Sequence, residues 1–154
     1  MEREILIIKD EAGNEYTCSI GGTGGKYFFT GEMSLTITPH FHKFKVGGSK
    51  GNARVFYPVA NNTYNNLWVT QEFELSIKIP YSLMDSLYDS FLKIPYLNKT
   101  VKLNYKLYNP ISGQFEYPIC RIESWNIRSG VRTMGTTGEM INIKLLVVDY
   151  TSTW

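Results

Sequence analysis

Residues 72–79 read Glu-Phe-Glu-Leu-Ser-Ile-Lys-Ile, and this stretch decides the fold class of the chain. Every second residue is apolar, and the residues between them are polar. Successive side chains of a β-strand point to opposite faces of a sheet, so a period of two predicts a strand with one buried face. Pro80 follows, and because proline has no N–H group to give to a sheet ladder, the strand is expected to end there.

The next segment changes to a helical period. Its apolar residues recur at intervals of three and four, with polar residues between them. They are Leu83, Met84, Leu87, Tyr88, Phe91 and Leu92. This spacing predicts one amphipathic α-helix over about residues 82–94, with its apolar face packed on the sheet. Ser82 followed by Asp85 resembles a capping box with Asp in place of Glu, and Pro95 predicts the end of the helix.

Alternating patterns extend from this segment in both directions. The predicted strands cover residues 4–9, 15–20, 33–37, 101–107, 114–128 and 139–150. Pro39 predicts the end of the strand at residues 33–37, and Ser129-Gly130 predicts a connection after the strand at residues 114–128. In the last strand, Leu146 and Val148 add apolar residues on the second side, which predicts cover on both faces of its later half. The fold class is therefore predicted as mainly β: an antiparallel β-sandwich or barrel with one packed α-helix, in a single domain of residues 1–154.

One short sequence occurs twice. Thr30-Gly31-Glu32-Met33 recurs as Thr137-Gly138-Glu139-Met140, and each copy opens an alternating strand. The two copies could occupy similar corners of a barrel or sandwich. Alternatively, the repeat is a coincidence, since a glycine turn before a strand is common.

Residues 39–66 differ from the rest of the chain. Residues 47–52 and 61–66 have loop composition, and no acidic residue occurs between Glu32 and Glu72. A long irregular insertion in a compact domain is usually functional or mobile. Its cations and aromatic residues form a candidate partner-binding set: Phe41, Lys43, Phe44, Lys45, Lys50, Arg54, Phe56 and Tyr57. The pattern favours contact with a neighbouring protein subunit over contact with nucleic acid.

The overall composition suits one domain with a real core. The chain has 154 residues, of which 43% are hydrophobic, 19% charged and 14% aromatic, and its net charge of +2 is too small to indicate a partner. Cys18 and Cys120 are the only cysteines, which predicts buried free thiols rather than a disulfide scaffold. The N-terminal residues lack the features of a signal peptide, and no run approaches the ~20 apolar residues of a membrane helix. A protein of the cytoplasm without membrane contact is expected.

The glycine-rich segment of residues 21–25 precedes Lys26 but does not form a phosphate-binding loop. That motif requires Gly at position 20 and Ser or Thr at position 27, where this chain has Ile20 and Tyr27. A strand rather than a helix is expected to follow, so no helix dipole would point at a phosphate. A flexible turn is the favoured interpretation.

Histidine chemistry would have to use His40 and His42, the only two histidines. On a strand they share a face, but no local Asp, Glu or Cys completes a zinc site, and neither lies in a nucleophile motif. We therefore predict a non-enzymatic protein with no catalytic residues, no metal, no cofactor and no small-molecule substrate.

Taken in order, the second half of the chain resembles a known family. An extended segment ends at Pro80-Tyr81, a helix contains Leu87-Tyr88 and Phe91-Leu92, and strands follow at Lys102–Tyr108, Cys120–Trp125 and Ile141–Val148, before an aromatic end at Trp154. Over about residues 72–154 this order resembles the tail-tube-like domain of bacteriophage distal-tail and related baseplate or tail-hub proteins.

The resemblance implies a structural subunit of a phage tail: a tail-tube, distal-tail or baseplate/hub component. Such a subunit would be assembled in the host cytoplasm, form a homo-oligomeric ring, contact neighbouring tail proteins of the virion, and bind no specific nucleic acid. Two other functions stay open. The chain could be a nucleic-acid-binding β-barrel that uses the basic loop of residues 43–54, or a carbohydrate-binding module in which Trp68, Trp125 or Trp154 stacks on sugar.

Overall fold

The computed structural model describes residues 5–20, 29–41, 67–133 and 135–154. The chain divides into two compact units. The first comprises Met1–Leu35 and Glu72–Trp154, and the second comprises Thr36–Gln71, which includes the predicted insertion of residues 39–66.

The described residues are mostly β-strand, which confirms the mainly-β prediction. The strands are β1 (Ile5–Lys9), β2 (Glu15–Ile20), β3 (Phe29–Phe41), β4 (Leu67–Pro80), β5 (Thr100–Leu103), β6 (Leu107–Asn109), β7 (Gln114–Thr133) and β8 (Thr136–Thr151). Between β4 and β5 lie the helix α1 (Tyr81–Leu87) and a 3-10 helix (Phe91–Tyr96).

Seven of these strands form a closed ring of pairings. The strand order is β5-β1-β2-β3-β4-β8-β7-β6, and β5 pairs with β7 as well as with β1. This closure makes a barrel, one of the two predicted architectures, and leaves β6 as an extra strand on β7. Strands β2 and β3 pair in parallel, so the prediction of a wholly antiparallel sheet was wrong. Alternation of apolar and polar residues is the same beside a parallel or an antiparallel neighbour, and therefore carries no information on direction.

The core lies on the inner face of the first unit. Phe73 pairs with Leu145, and Leu75 pairs with Ile143, and all four side chains are buried, as the period of two predicts. A void of about 10 Å³ among apolar side chains of this core is too small and too apolar to hold an ordered water or a ligand. The inner face is thus a packed core rather than a binding cavity. Val148 is 49% exposed, so the prediction of cover on both faces of late β8 was wrong at this residue.

The predicted helix of residues 82–94 is interrupted. Helix α1 ends at Leu87, and the chain resumes as the 3-10 helix at Phe91, because Ser90 adopts a non-helical backbone with φ −126° and ψ −86°. The capping box was also wrong, since Pro80 is the N-cap and no side chain caps the helix. Pro95 lies inside the 3-10 helix instead of ending it. The prediction that the apolar stripe packs on the sheet is confirmed for Leu87 and Phe91, which are buried in the core, and Leu83, Met84 and Leu92 pack against it partly buried. It was wrong for Tyr88, which is 69% exposed.

Asn104 divides the predicted strand of residues 101–107 into β5 and β6. Its side-chain oxygen accepts a hydrogen bond from Ile7 N at 2.8 Å, and its Nδ2 donates to Ile5 O at 3.1 Å. The Asn104 main-chain N–H also donates to Ile7 O at 3.2 Å. The amide side chain therefore takes over part of the ladder with β1, and the backbone is free to bend before β6 begins.

Two predicted breaks do not interrupt their strands. Strand β3 continues through Pro39 to Phe41, since proline removes one donor without preventing extended backbone. Ser129 and Gly130 lie within β7, where a bulge between Arg128 and Val131 absorbs them and Gly130 has φ +75°.

The repeated tetrapeptide has a shared structural role. Gly31 in β3 and Gly138 in β8 both lie against the backbone of β4. A Cβ atom on Gly31 would collide with the carbonyl oxygen of Ser76, and one on Gly138 would collide with that of Ile79. Each copy therefore places its glycine where a neighbouring strand approaches too closely for any side chain.

Candidate interaction surface

Most of the predicted partner-binding set lies outside the described residues. Phe41 is the last residue of β3. The other members, Lys43, Phe44, Lys45, Lys50, Arg54, Phe56 and Tyr57, fall outside the described ranges, so their role stays a prediction. His40, one of the two histidines, lies 2.7 Å from Thr70 Oγ1 through its Nε2 atom.

The tip of the β6–β7 hairpin exposes a group of apolar side chains. Tyr108 and Phe115 are cross-strand partners, and their ring centroids lie 5.7 Å apart in an edge-on arrangement. Ile111, in the turn between them, is 92% exposed, while Phe115 is 66% and Tyr108 is 49% exposed. We call Tyr108, Ile111 and Phe115 the knob. Apolar groups gathered in this way on a soluble surface mark sites of contact with other molecules.

Asn109 holds the knob in one conformation. Its buried side chain donates from Nδ2 to Glu116 Oε2 at 2.8 Å and accepts from Ile111 N at 3.0 Å. Its main-chain oxygen accepts from Gly113 N at 2.8 Å, and Gly113 has φ +74°, a backbone conformation that favours glycine. Ile111 is therefore presented on a turn that is fixed by several hydrogen bonds.

A second feature lies around Trp154. The Trp154 and Tyr117 rings pack with centroids 5.3 Å apart, and Trp154 Nε1 donates to Glu15 Oε1 at 2.8 Å. Lys9 Nζ lies 5.1 Å from the centroid of the Trp154 ring and donates to the main-chain oxygen of the same residue at 2.8 Å. Lys102 Nζ donates to that oxygen at 3.1 Å. These contacts connect Trp154 to β1, β2, β5 and β7.

Trp154 borders an open pocket of about 450 Å³. Its lining combines apolar groups, such as Val101 and Ile119, with the turn between β1 and β2. We call it the Trp154 pocket. A pocket of this size is within the range of binding sites in proteins, although most of its polar groups already have partners in the chain.

The rim of the Trp154 pocket carries charges of both signs. Lys9, Lys102, Asp10 and Glu11 are among its lining residues. Burial opposes ionisation of Asp10, but hydrogen bonds from Asn14 and Tyr16 outweigh it and lower its pKa. Hydrogen bonds from the Thr100 N–H and hydroxyl groups lower the pKa of Glu11. Hydrogen bonds within the chain therefore favour the ionised form of both carboxyl groups.

The two cysteines are buried free thiols, as predicted. Burial raises the pKa of the Cys18 and Cys120 thiols to about 12. Because the thiolate is the reactive form, neither thiol is suited to nucleophilic or redox chemistry at neutral pH.

Three tryptophans were proposed for sugar stacking. Trp125 is half-buried and packs on Phe91, with centroids 5.1 Å apart. Trp68 lies in β4. Trp154 is the tryptophan that borders the described pocket, but Tyr117 and Lys9 already contact its ring.

The knob was not predicted, although apolar Ile111 within a polar turn was a visible signal.

In the described ranges, no helix has the length and apolar character needed to cross a membrane. The same part of the chain contains no group of three or more His, Cys, Asp and Glu side chains placed to bind a metal ion. A comparison of the chain with protein-family models found no match. A comparison with curated proteins likewise found no match, so the proposals below depend on the residues themselves.

Proposed function

We propose that this chain is a structural, non-enzymatic subunit of a bacteriophage tail that assembles with copies of itself into a ring and contacts neighbouring tail proteins of the virion. The knob is the observation that best supports assembly through protein contacts. Exposing Ile111 and Phe115 to water has a free-energy cost that burial in an interface would remove, at about 25 cal/mol for each Å² of apolar surface.

The fold is consistent with this role in two ways. The core of the barrel is filled, so recognition falls to the outer surface. The Asn109 hydrogen bonds fix the knob before any partner arrives, so little conformational entropy is lost on binding. The tail assignment itself depends on the order of elements over residues 72–154, which resembles the tail-tube-like domain.

The assembly is tested by native mass spectrometry and light scattering of the purified protein over a range of concentrations. A closed ring predicts one discrete oligomer that persists as the concentration rises. Open polymers of growing length would contradict closure, and a monomer under every condition would contradict self-assembly.

The tail assignment needs a separate test. Antibodies against the protein should label the tails of the source particle in electron micrographs. Label on the capsid, or particles without label, would contradict the tail role even if the purified protein forms rings.

A further inference from the structure

A small pocket lies where the 3-10 helix is followed by β5. Its volume is about 110 Å³, below the roughly 300–1,000 Å³ of sites that enclose drug-sized ligands, so it suits a group of only a few heavy atoms. We call it the Arg121 pocket. Its lining comes from the 3-10 helix, the residues before β5 and strand β7, and consists of Ile94, Pro95, Tyr96, Asn98, Lys99, Arg121 and Ile122.

Strand pairing brings two cations to this pocket. Arg121 in β7 is the partner of Thr100, the first residue of β5, and Lys99 immediately precedes Thr100. The lining contains both cations and neither Asp nor Glu. Within the described ranges, neither cation forms a salt bridge, although Glu123 follows Arg121 by two residues. Hydrogen bonds from Thr100 lower the pKa of Glu11 more than its attraction to Lys99 does, so Glu11 does not neutralise that cation.

The polar side chains of the Arg121 pocket are all able to donate hydrogen bonds. Lys99 and Arg121 can only donate, while the Tyr96 hydroxyl and the Asn98 amide can donate or accept. In the part of the chain that the structure describes, none of these four side chains has a hydrogen-bond partner. The lysines of the Trp154 pocket, by contrast, already donate to main-chain oxygens. The Arg121 pocket therefore has unused donors and an excess of positive charge.

The floor of the Arg121 pocket is apolar and firmly packed. Ile94 is 3% exposed within the barrel core, and Ile122 packs against that core partly buried. An apolar wall on one side reduces the screening of charges by water and strengthens their attraction for an anion. Asn98 adopts φ +49°, a left-handed conformation in which Asn is enriched, and this turn leads the chain from the 3-10 helix to Lys99.

We propose that the Arg121 pocket binds a phosphate group. The guanidinium of Arg121 has the geometry for two parallel hydrogen bonds to phosphate oxygens, and the Lys99 ammonium adds a point charge. Two cations match the charge of a phosphate monoester, about −1.5 to −2 at pH 7, whereas one carboxylate would leave a cation unbalanced. In a monoester, the organic part would extend past Tyr96, which is 84% exposed, into solvent.

This binding goes beyond the proposed tail function and does not depend on assembly. It is tested by NMR titration of the full chain with inorganic phosphate at pH 8 and constant ionic strength. Charge-assisted hydrogen bonds from two cations imply a dissociation constant on the order of 1 mM. The main-chain amides of Asn98, Lys99 and Arg121 should show the largest saturable shifts. Acetate should bind at least about tenfold more weakly, because it has a single negative charge.

Substitution assigns the binding to the two cations. Arg121→Gln and Lys99→Gln should each weaken phosphate binding by about 10–100-fold, the loss expected for a hydrogen bond to a charged group. Both native side chains are exposed, so the variants should fold. Arg128→Gln is the matched control: it removes the same charge from an exposed position on β7 outside the pocket and should change the dissociation constant by less than about twofold.

Glycerol 3-phosphate separates the two sources of the phosphate group. Tighter binding of this ester than of inorganic phosphate supports a phosphate attached to a larger molecule, and equal or weaker binding supports the free ion. Three results would overturn the proposal: no saturable shift with either phosphate, acetate binding as tightly as phosphate, or Arg128→Gln weakening the binding as much as Arg121→Gln. The last result would show a general attraction to the positive surface instead of a site. Each readout is the same for a monomer and for a ring, so it leaves the test of assembly separate.

Discussion

Phe91→Ala should be among the most destabilising single substitutions in the first unit. The Phe91 side chain is 0% exposed, and its ring lies 5.0 Å from that of Tyr16 and 5.1 Å from that of Trp125, measured between centroids. Truncation of a buried Phe to Ala costs about 3–5 kcal/mol. Two aromatic pairs of about 0.5–1.5 kcal/mol each are lost as well, which places the expected cost near 4 kcal/mol or above.

The space that remains cannot be filled by water. Phe91 already borders the small void of about 10 Å³, and the lining of that void is apolar. An enlarged apolar cavity stays dry, so the lost contacts are not replaced. This is the reason for expecting a cost in the upper part of the range.

Urea denaturation followed by tryptophan fluorescence measures the effect. With a slope of about 2 kcal/mol per M, a loss of 4 kcal/mol moves the midpoint down by about 2 M, and the thermal midpoint should fall by about 8–16 °C. Lys93→Ala is the control in the same 3-10 helix. It removes only an exposed ion pair with Asp89 and should change the free energy of unfolding by less than about 0.5 kcal/mol. A loss below about 1 kcal/mol for Phe91→Ala would refute the claim that this helix is packed into the barrel core.

Three further expectations can be tested on the purified protein. Gly138→Ala should lower the thermal midpoint well beyond Thr137→Ala, because only the first places a Cβ atom against the β4 backbone, and equal midpoints would contradict this close approach. Cys18 and Cys120 should resist alkylation by iodoacetamide at pH 8 until urea unfolds the chain. Folding raises the pKa of both thiols from 9.0 to about 12. The free energy of unfolding should therefore be unaffected below pH 9 and should decline as the pH rises from about 9 to 12. Alkylation of the folded protein, or stability that does not change over that pH range, would argue against their burial. An oligonucleotide titration should show dissociation constants of ~10⁻⁴–10⁻⁶ M at physiological salt, or no binding. Submicromolar binding that is abolished when the four cationic residues of the segment 43–54 are replaced by alanine would favour the nucleic-acid alternative.

The sequence predicts the strands because local alternation records which face is buried. The β1–β2 hairpin, the pattern from Phe73 to Ile79 and the end of β4 at Pro80 agree with the structure for this reason. What local alternation cannot record is a contact between residues far apart in the chain. Asn104 reads as an ordinary outward polar residue, but its amide bonds to β1, 97 and 99 residues away, and ends the strand.

The candidate interaction surface was predicted less well than the fold. Counting cations and aromatic residues favours residues 39–66, where such residues accumulate. Exposure, however, is a property of the folded chain: Phe115 occupies an ordinary strand position in the sequence, and only the pairing with Tyr108 shows that its side of the hairpin is uncovered. The Trp154 pocket is likewise invisible in sequence, because its lining comes from β1, β5, β7 and the chain after β8.

The paired glycines beside β4 also determine which misfolded states are accessible. Gly31 and Gly138 sit where the flanking strands touch the β4 main chain. If β3 or β8 slipped by one residue relative to β4, a threonine or glutamate next to the glycine would be forced against the β4 main chain. The slip would also exchange the buried and exposed faces of the strand that moved. A barrel can close only with a definite stagger between its strands. The two tetrapeptides therefore specify the register of the strands on both sides of β4. They disfavour the off-register barrels that the many similar alternating segments of this chain could otherwise form during folding.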